Sequence, residues 1–140
     1  MIDSKVGRVA IALAVLALVG VSACATREED EAVAAAREWL ELLDAGQFVE
    51  AWERSSSTMR ERISQETFVK AVRGARVAIG RVVARRLKSA QAARTLPGAP
   101  RGKYVVVLFE SVFENTPHEI ETVSQTHEDG VWRAIGYKSQ

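Results

Sequence analysis

Apolar side chains recur along the chain in three rhythms, and each rhythm predicts a different element. From Val9 to Val21 they form an almost unbroken run of 13 residues, shorter than the ~20 that a bilayer-crossing helix needs. After a polar, acidic stretch from Thr26 to Glu31, Val33, Ala36, Trp39, Leu40 and Leu43 recur at three-and-four spacing. That spacing predicts an amphipathic helix with acidic residues in its first turn and Gly46 as its stop. Phe48, Trp52, Ser55 and Met59 continue the helical period, giving a second helix from Gln47 to Ser57 that the serine-threonine run at 55–58 loosens. A third helix follows, with Ser64 as cap, Glu66 in the first turn, Phe68, Val69, Val72 and Ile79 as its stripe, and Gly80 as its end.

Beyond Gly80 the period changes to two. Strands are predicted at Arg81–Ser89, Tyr104–Phe113, Glu119–Thr126 and Val131–Tyr137, separated by the Leu96–Gly102 connection, Asn115-Thr116-Pro117 and the hairpin turn Glu128-Asp129-Gly130. Helices followed by a four-stranded antiparallel meander predict an α+β fold in which the helices cover one face of a curved sheet. Counting back from the Pro97–Pro100 turn places Glu110 nearly opposite Leu87, between Arg86 and Lys88. Counting from Asp129-Gly130 places Glu121 near Lys138. Strict alternation puts Trp132 and Tyr137 on opposite faces of the last strand, so one enters the core and the other is free for an interface, such as a homodimer built on the open sheet face.

The first apolar run gains meaning from its flanks. Lys5 and Arg8 precede it, and Val21, Ser22, Ala23 and Cys24 follow in the order of an export signal and its processing site. Val21-Ser22-Ala23-Cys24 resembles the lipobox of bacterial lipoproteins, in which the cysteine is diacylated and becomes the new N-terminus. A thiolate is the nucleophile suited to accept diacylglycerol, and two or more acyl chains give the stable anchoring that one does not. The alternatives are an uncleaved membrane helix and a plain secretory signal cut near Ala23 or Ala25. Cys24 is the only cysteine, so the remainder carries no disulfide to explain. This reading divides the chain into a signal peptide at 1–23, a lipidated cysteine with a short tether at 24–31, and a single domain at 32–140. The resemblance implies a lipid-anchored protein on the exported side of a bacterial membrane. Because Ala25 is not the aspartate associated with inner-membrane retention, it implies the periplasmic side of the outer membrane where the host has two membranes.

Without residues 1–23 the chain carries 17 basic and 17 acidic side chains, a balance that does not suit nucleic acid. The charges are nevertheless segregated. Lys70 to Lys103 holds ten basic residues and no acidic one, whereas Arg27 to Glu66 holds eleven acidic and five basic. Arg73, Arg76, Arg81, Arg85, Arg86 and Lys88 could therefore face an anionic lipid surface or an envelope protein, or be neutralised within the fold by the acidic helices and strand glutamates.

Several further motifs occur in order: Leu96-Pro97-Gly98-Ala99-Pro100, Gly102-x-Tyr104-Val105-Val106, Phe113-Glu114-Asn115, Glu121-Thr122-Val123 and Asp129-Gly130-x-Trp132-Arg133-x-x-Gly136-Tyr137. Trp39-Leu40, Asp44-Ala45-Gly46, Trp52, Ser55 and Arg76-x-x-x-Gly80 precede them. Together they resemble an uncharacterised bacterial family, domain of unknown function 4019, over roughly residues 34–138. The resemblance implies secreted or lipid-anchored proteins with a cystatin-like or nuclear-transport-factor-like cone, a fold that hosts enzymes, ligand binders and dimerisation modules alike.

Side-chain chemistry narrows the field only slightly. His118 and His127 lie nine residues apart near opposite ends of one predicted strand, roughly 30 Å, which does not suit a shared metal, and no cofactor motif is present. Glu110 and Glu121 are the candidate pocket residues, either as a ligand or catalytic pair or as ordinary cross-strand partners of basic residues. The expectation is a lipid-anchored envelope binding or interaction module. A small-ligand enzyme using a cone glutamate and a structural dimerisation protein are the alternatives.

Overall fold

A computed structural model describes the backbone from Val19 to Gln140 and the side chains from Arg27 onward. The apolar run at 9–18 lies outside the described residues, as do the side chains of Val21, Ser22, Ala23 and Cys24. Among the described residues no helix is long and apolar enough to cross a membrane.

Helix α1 (Val19–Asp44) includes the stretch expected to be tether. Glu31 accepts from Arg27 one turn earlier at 3.1 Å, and Ala32, Ala36, Trp39, Leu40 and Leu43 form the buried stripe. Gly46, at φ 72°, ends the helix as expected. The Gly46 and Gln47 amides donate back to the Leu43 and Leu42 carbonyls at 3.1 and 2.8 Å, the paired closure that a left-handed glycine permits.

The expected second helix is two short ones, α2 (Phe48–Glu53) and α3 (Ser57–Arg62). The serines between them do more than loosen a helix. Ser55 donates to the Ala51 carbonyl at 2.8 Å and accepts from Trp39 Nε1 at 3.1 Å. Ser56 caps α3 by accepting from the Met59 amide, and its own amide donates to the Ala134 carbonyl at 2.9 Å. Ser57 donates through its amide and hydroxyl to Glu128. Short polar side chains compete with helical backbone bonding, and here that competition bolts the joint to the sheet. Helix α4 (Gln65–Ile79) has Ser64 as its cap and Gly80 at its end, as expected.

The sheet is an open antiparallel meander in the order β1-β2-β3-β4, formed by β1 (Val82–Ala93), β2 (Tyr104–Phe113), β3 (Thr116–Glu128) and β4 (Val131–Ser139). Three strands outrun their sequence limits. Ala90 to Ala93, weak strand formers alone, are held against Tyr104 to Val107 of β2, because sheet propensity follows the neighbour more than the residue. The helices lie on the inner face, where α1 touches all four strands. The core joins the α1 stripe to Val105, Val107, Phe109, Val123, Trp132 and Ala134. Helices followed by an antiparallel sheet make this an α+β fold.

One irregularity corrects two expectations. Ser124 pairs with Gly136 but Gln125 pairs with Ala134, so Ile135 is an extra, unpaired residue in β4. Such a bulge shifts every later residue by one and turns it to the other face. Trp132 pairs with His127 and Tyr137 with Val123, and both aromatic rings therefore share the inner face. Tyr137 packs edge-on to Trp39 at 5.5 Å, leaving no aromatic side chain of β4 free for the outer face. By the same shift Glu121 pairs with Ser139, not Lys138.

Candidate functional site

Polar groups converge at the end of the sheet where α1 stops. Asp44 is the last residue of α1, an unfavourable place for an acid next to the helix carbonyls. Two cations offset that cost. Arg76, in the last turn of α4, donates to Asp44 Oδ1 at 2.5 Å, and Arg85 of β1 donates to both Asp44 oxygens at 2.6 and 3.0 Å.

Behind Asp44 lies Glu121 of β3, with no exposed surface. Its Oε1 accepts from Arg76 Nη2 at 3.1 Å and the Tyr137 hydroxyl at 2.8 Å, and its Oε2 accepts from Arg85 Nε at 2.6 Å and the Ser111 hydroxyl at 2.5 Å. Arg76 also stacks over Phe113, 5.2 Å from the ring centre. The two guanidinium and two carboxylate groups cancel formally. Burial disfavours the charged Arg85, but hydrogen bonds and charge from Asp44 and Glu121 outweigh it and raise its pKa. Burial, reinforced by the Glu121 charge, also raises the pKa of Tyr137.

The cluster separates residues that the sequence grouped. Glu110 points to the outer face, where it pairs with Arg86 and, at 3.5 Å, with Lys88. The hydrogen bond from Arg86 lowers its pKa. Arg81 binds Glu114 at 2.8 Å and Arg73 lies over the Phe48 ring at 5.8 Å. The six cations are thus divided among the interior, the outer face, the end of the sheet and, for Arg73, the helical layer. An open groove of about 530 Å³ on the outer face is bordered by Ala84, Arg86, Glu110, His118 and Ile120. His118 and His127 stand at opposite ends of β3.

Asp44, Ser111 and Tyr137 complete the cluster without having been singled out by chemistry in the sequence. Gly136 carried the missing signal, since a lone glycine within a strand pattern marks a bulge. With the bulge placed, Tyr137 turns toward Glu121.

A profile of the family described as "Protein of unknown function (DUF4019)" matches residues 35–137. The chain belongs to this family. All six residues of the buried cluster fall within the DUF4019 match, whereas Cys24 lies before it. A search of the curated proteins found no match.

Proposed function

We propose that this DUF4019 protein is a lipid-anchored interaction module of the bacterial envelope, and that its buried carboxylate serves architecture instead of catalysis. The observation that carries the reading is the saturation of Glu121. General acid or base chemistry needs a carboxylate oxygen within hydrogen-bond reach of substrate, and four donors already hold both oxygens away from solvent. Recognition is then left to the surface, and the lipid on Cys24 would keep that surface at the membrane.

The orientation of α1 agrees with this proposal. Its first described turn meets the β1–β2 end of the sheet, where Glu28 pairs with Lys103 at 2.5 Å and Glu29 accepts from the Ala92 amide at 3.2 Å. Asp44 lies at the other end of the same helix, roughly 30 Å from Cys24 at 1.5 Å per residue. A partner would accordingly meet a body held in a preferred orientation by a helix running from its anchor.

Mass spectrometry of the native protein tests the anchor. An acylated Cys24 as the first residue is expected, and an N-terminus at Met1 would overturn the reading. Affinity capture from solubilised membranes, repeated with Cys24→Ser, tests the interaction. An envelope protein or anionic lipid enriched only with the lipidated form is expected, and equal recovery with both forms would refute a membrane-dependent role.

A further inference from the structure

Glu121 has a neutral counterpart on the same strand and face. Gln125, four residues on, is also without exposed surface, yet neither its Oε1 nor its Nε2 has a partner among the described residues. The third such atom among the described residues is Trp132 Nε1, in a side chain only 7% exposed.

These atoms are neighbours by register. Gln125 pairs with Ala134 and His127 with Trp132, so Gln125 and Trp132 are diagonal partners on the inner face. Their backbones are roughly 7–8 Å apart, within reach of long side chains. They do not hydrogen-bond to each other. Together they present two kinds of donor, an indole N–H and an amide NH₂, and one carbonyl acceptor.

The other tryptophans show that the fold otherwise satisfies its indoles. Trp39 Nε1 donates to the Ala51 carbonyl at 2.9 Å, and Trp52 Nε1 donates to the Ile63 carbonyl at 2.9 Å. Trp132 is held in place without such a bond, its ring edge-on to His127 at 5.0 Å and beneath Lys103 Nζ at 5.8 Å. Buried polar groups in native proteins have partners, and where the protein supplies none an enclosed guest does. A groove of about 290 Å³ between α1 and β4 has Trp39, Trp132 and Ala134 in its lining, and Ala134 is the register partner of Gln125, which itself lies behind the lining.

We propose that Gln125 and Trp132 form a binding site for one small neutral molecule that both donates and accepts hydrogen bonds, admitted through the groove between α1 and β4. The guest accepts from Trp132 Nε1 and from the Gln125 amide, and donates to Gln125 Oε1. Three protein contacts suit an internal water and equally suit the hydroxyl or amide group of a small organic molecule. No net charge is invited, because neither side chain is ionisable at these atoms.

The three indole protons make the test internally controlled. In the full-length protein labelled with nitrogen-15, the Trp132 indole proton should show a cross-peak to bound water, or to carbon-bound protons foreign to the protein if the guest is organic. The Trp39 and Trp52 indoles should show neither. Native mass spectrometry separates the two sources, since a retained organic guest adds its own mass. Gln125→Leu should abolish the Trp132 cross-peak while leaving the other two indole resonances in place. Should that variant fail to fold, Trp132→Phe provides the complementary reading from the Gln125 amide protons, which should keep a weakened guest contact. Contacts from the wild-type Trp132 indole proton to protein groups alone, with no water or foreign proton nearby, would overturn the site.

Discussion

Glu121 and Gln125 occupy the same face of β3, both wholly buried, yet the protein treats them in opposite ways. Around Glu121 four donors from α4 and all three other strands close on one carboxylate. Around Gln125 the described residues supply no partner. The difference follows from charge. Leaving a buried ion uncompensated costs about 3–5 kcal/mol, a large share of a small domain's stability, so the fold itself neutralises it, whereas an unbonded amide costs about 1–3 kcal/mol. An enclosed neutral guest can offset a cost of that size. The end of the sheet around Asp44 is therefore fixed, and the end around Trp132 is where exchange with the outside is affordable.

The largest expected effect tests the fixed end. Glu121→Ala leaves Arg76 and Arg85 buried with only Asp44 between them, and should lower unfolding free energy by about 3–5 kcal/mol. Urea denaturation checks this, and a change near zero would mean that the cluster is far more hydrated than its geometry implies. Tyr137→Phe removes one donor to the carboxylate and should cost about 1–3 kcal/mol. The same variant has a pH signature. The Tyr137 pKa is raised above its ordinary value of 10.0, so its contribution is complete below that pH and is lost as pH climbs toward the folded value. Stability of the wild type should consequently fall more steeply above pH 10.0 than that of Tyr137→Phe.

At the other end, Gln125→Leu removes an amide together with the guest that bonds it. Deleting both sides of a hydrogen bond is nearly neutral, and the change should stay within about 1 kcal/mol by the same denaturation. A loss comparable to that of Glu121→Ala would erase the contrast between the two ends. The smallest effect belongs to the surface. Hydrogen bonds from the side chain and then the backbone amide of Arg81 lower the Glu114 pKa below 4.5. The contribution is present above that value and disappears as pH falls through the folded pKa. Glu114→Gln should flatten only this acid limb, leaving neutral-pH stability almost unchanged.

Local rules made much of this architecture legible. Ser64 and Gly80 bracketed α4, Gly46 ended α1, and Glu110 was placed within one residue of its partner Arg86. Long-range features were harder to read. Ser55, Ser56 and Ser57 look like a weak helix until Trp39, Ala134 and Glu128 are brought beside them. The buried cluster was seen in parts: Glu121 was noted as a pocket residue or a cross-strand partner, and Arg76 and Arg85 as part of a surface patch or as cations neutralised within the fold. Joining them required the α1 terminus to reach the sheet and β4 to carry an unpaired residue. Neither event is encoded in a local period.

The bulge at Ile135 makes β4 a parity code with one inserted digit. Trp132 and Tyr137 both count as inward only because Ile135 is counted once and paired with nothing. Pairing between those two aromatics is therefore as consequential as their identity. Drawing Ile135 into the ladder would evict either the indole beside Gln125 or the phenol that holds Glu121, whereas deleting it leaves an even count and keeps both inward.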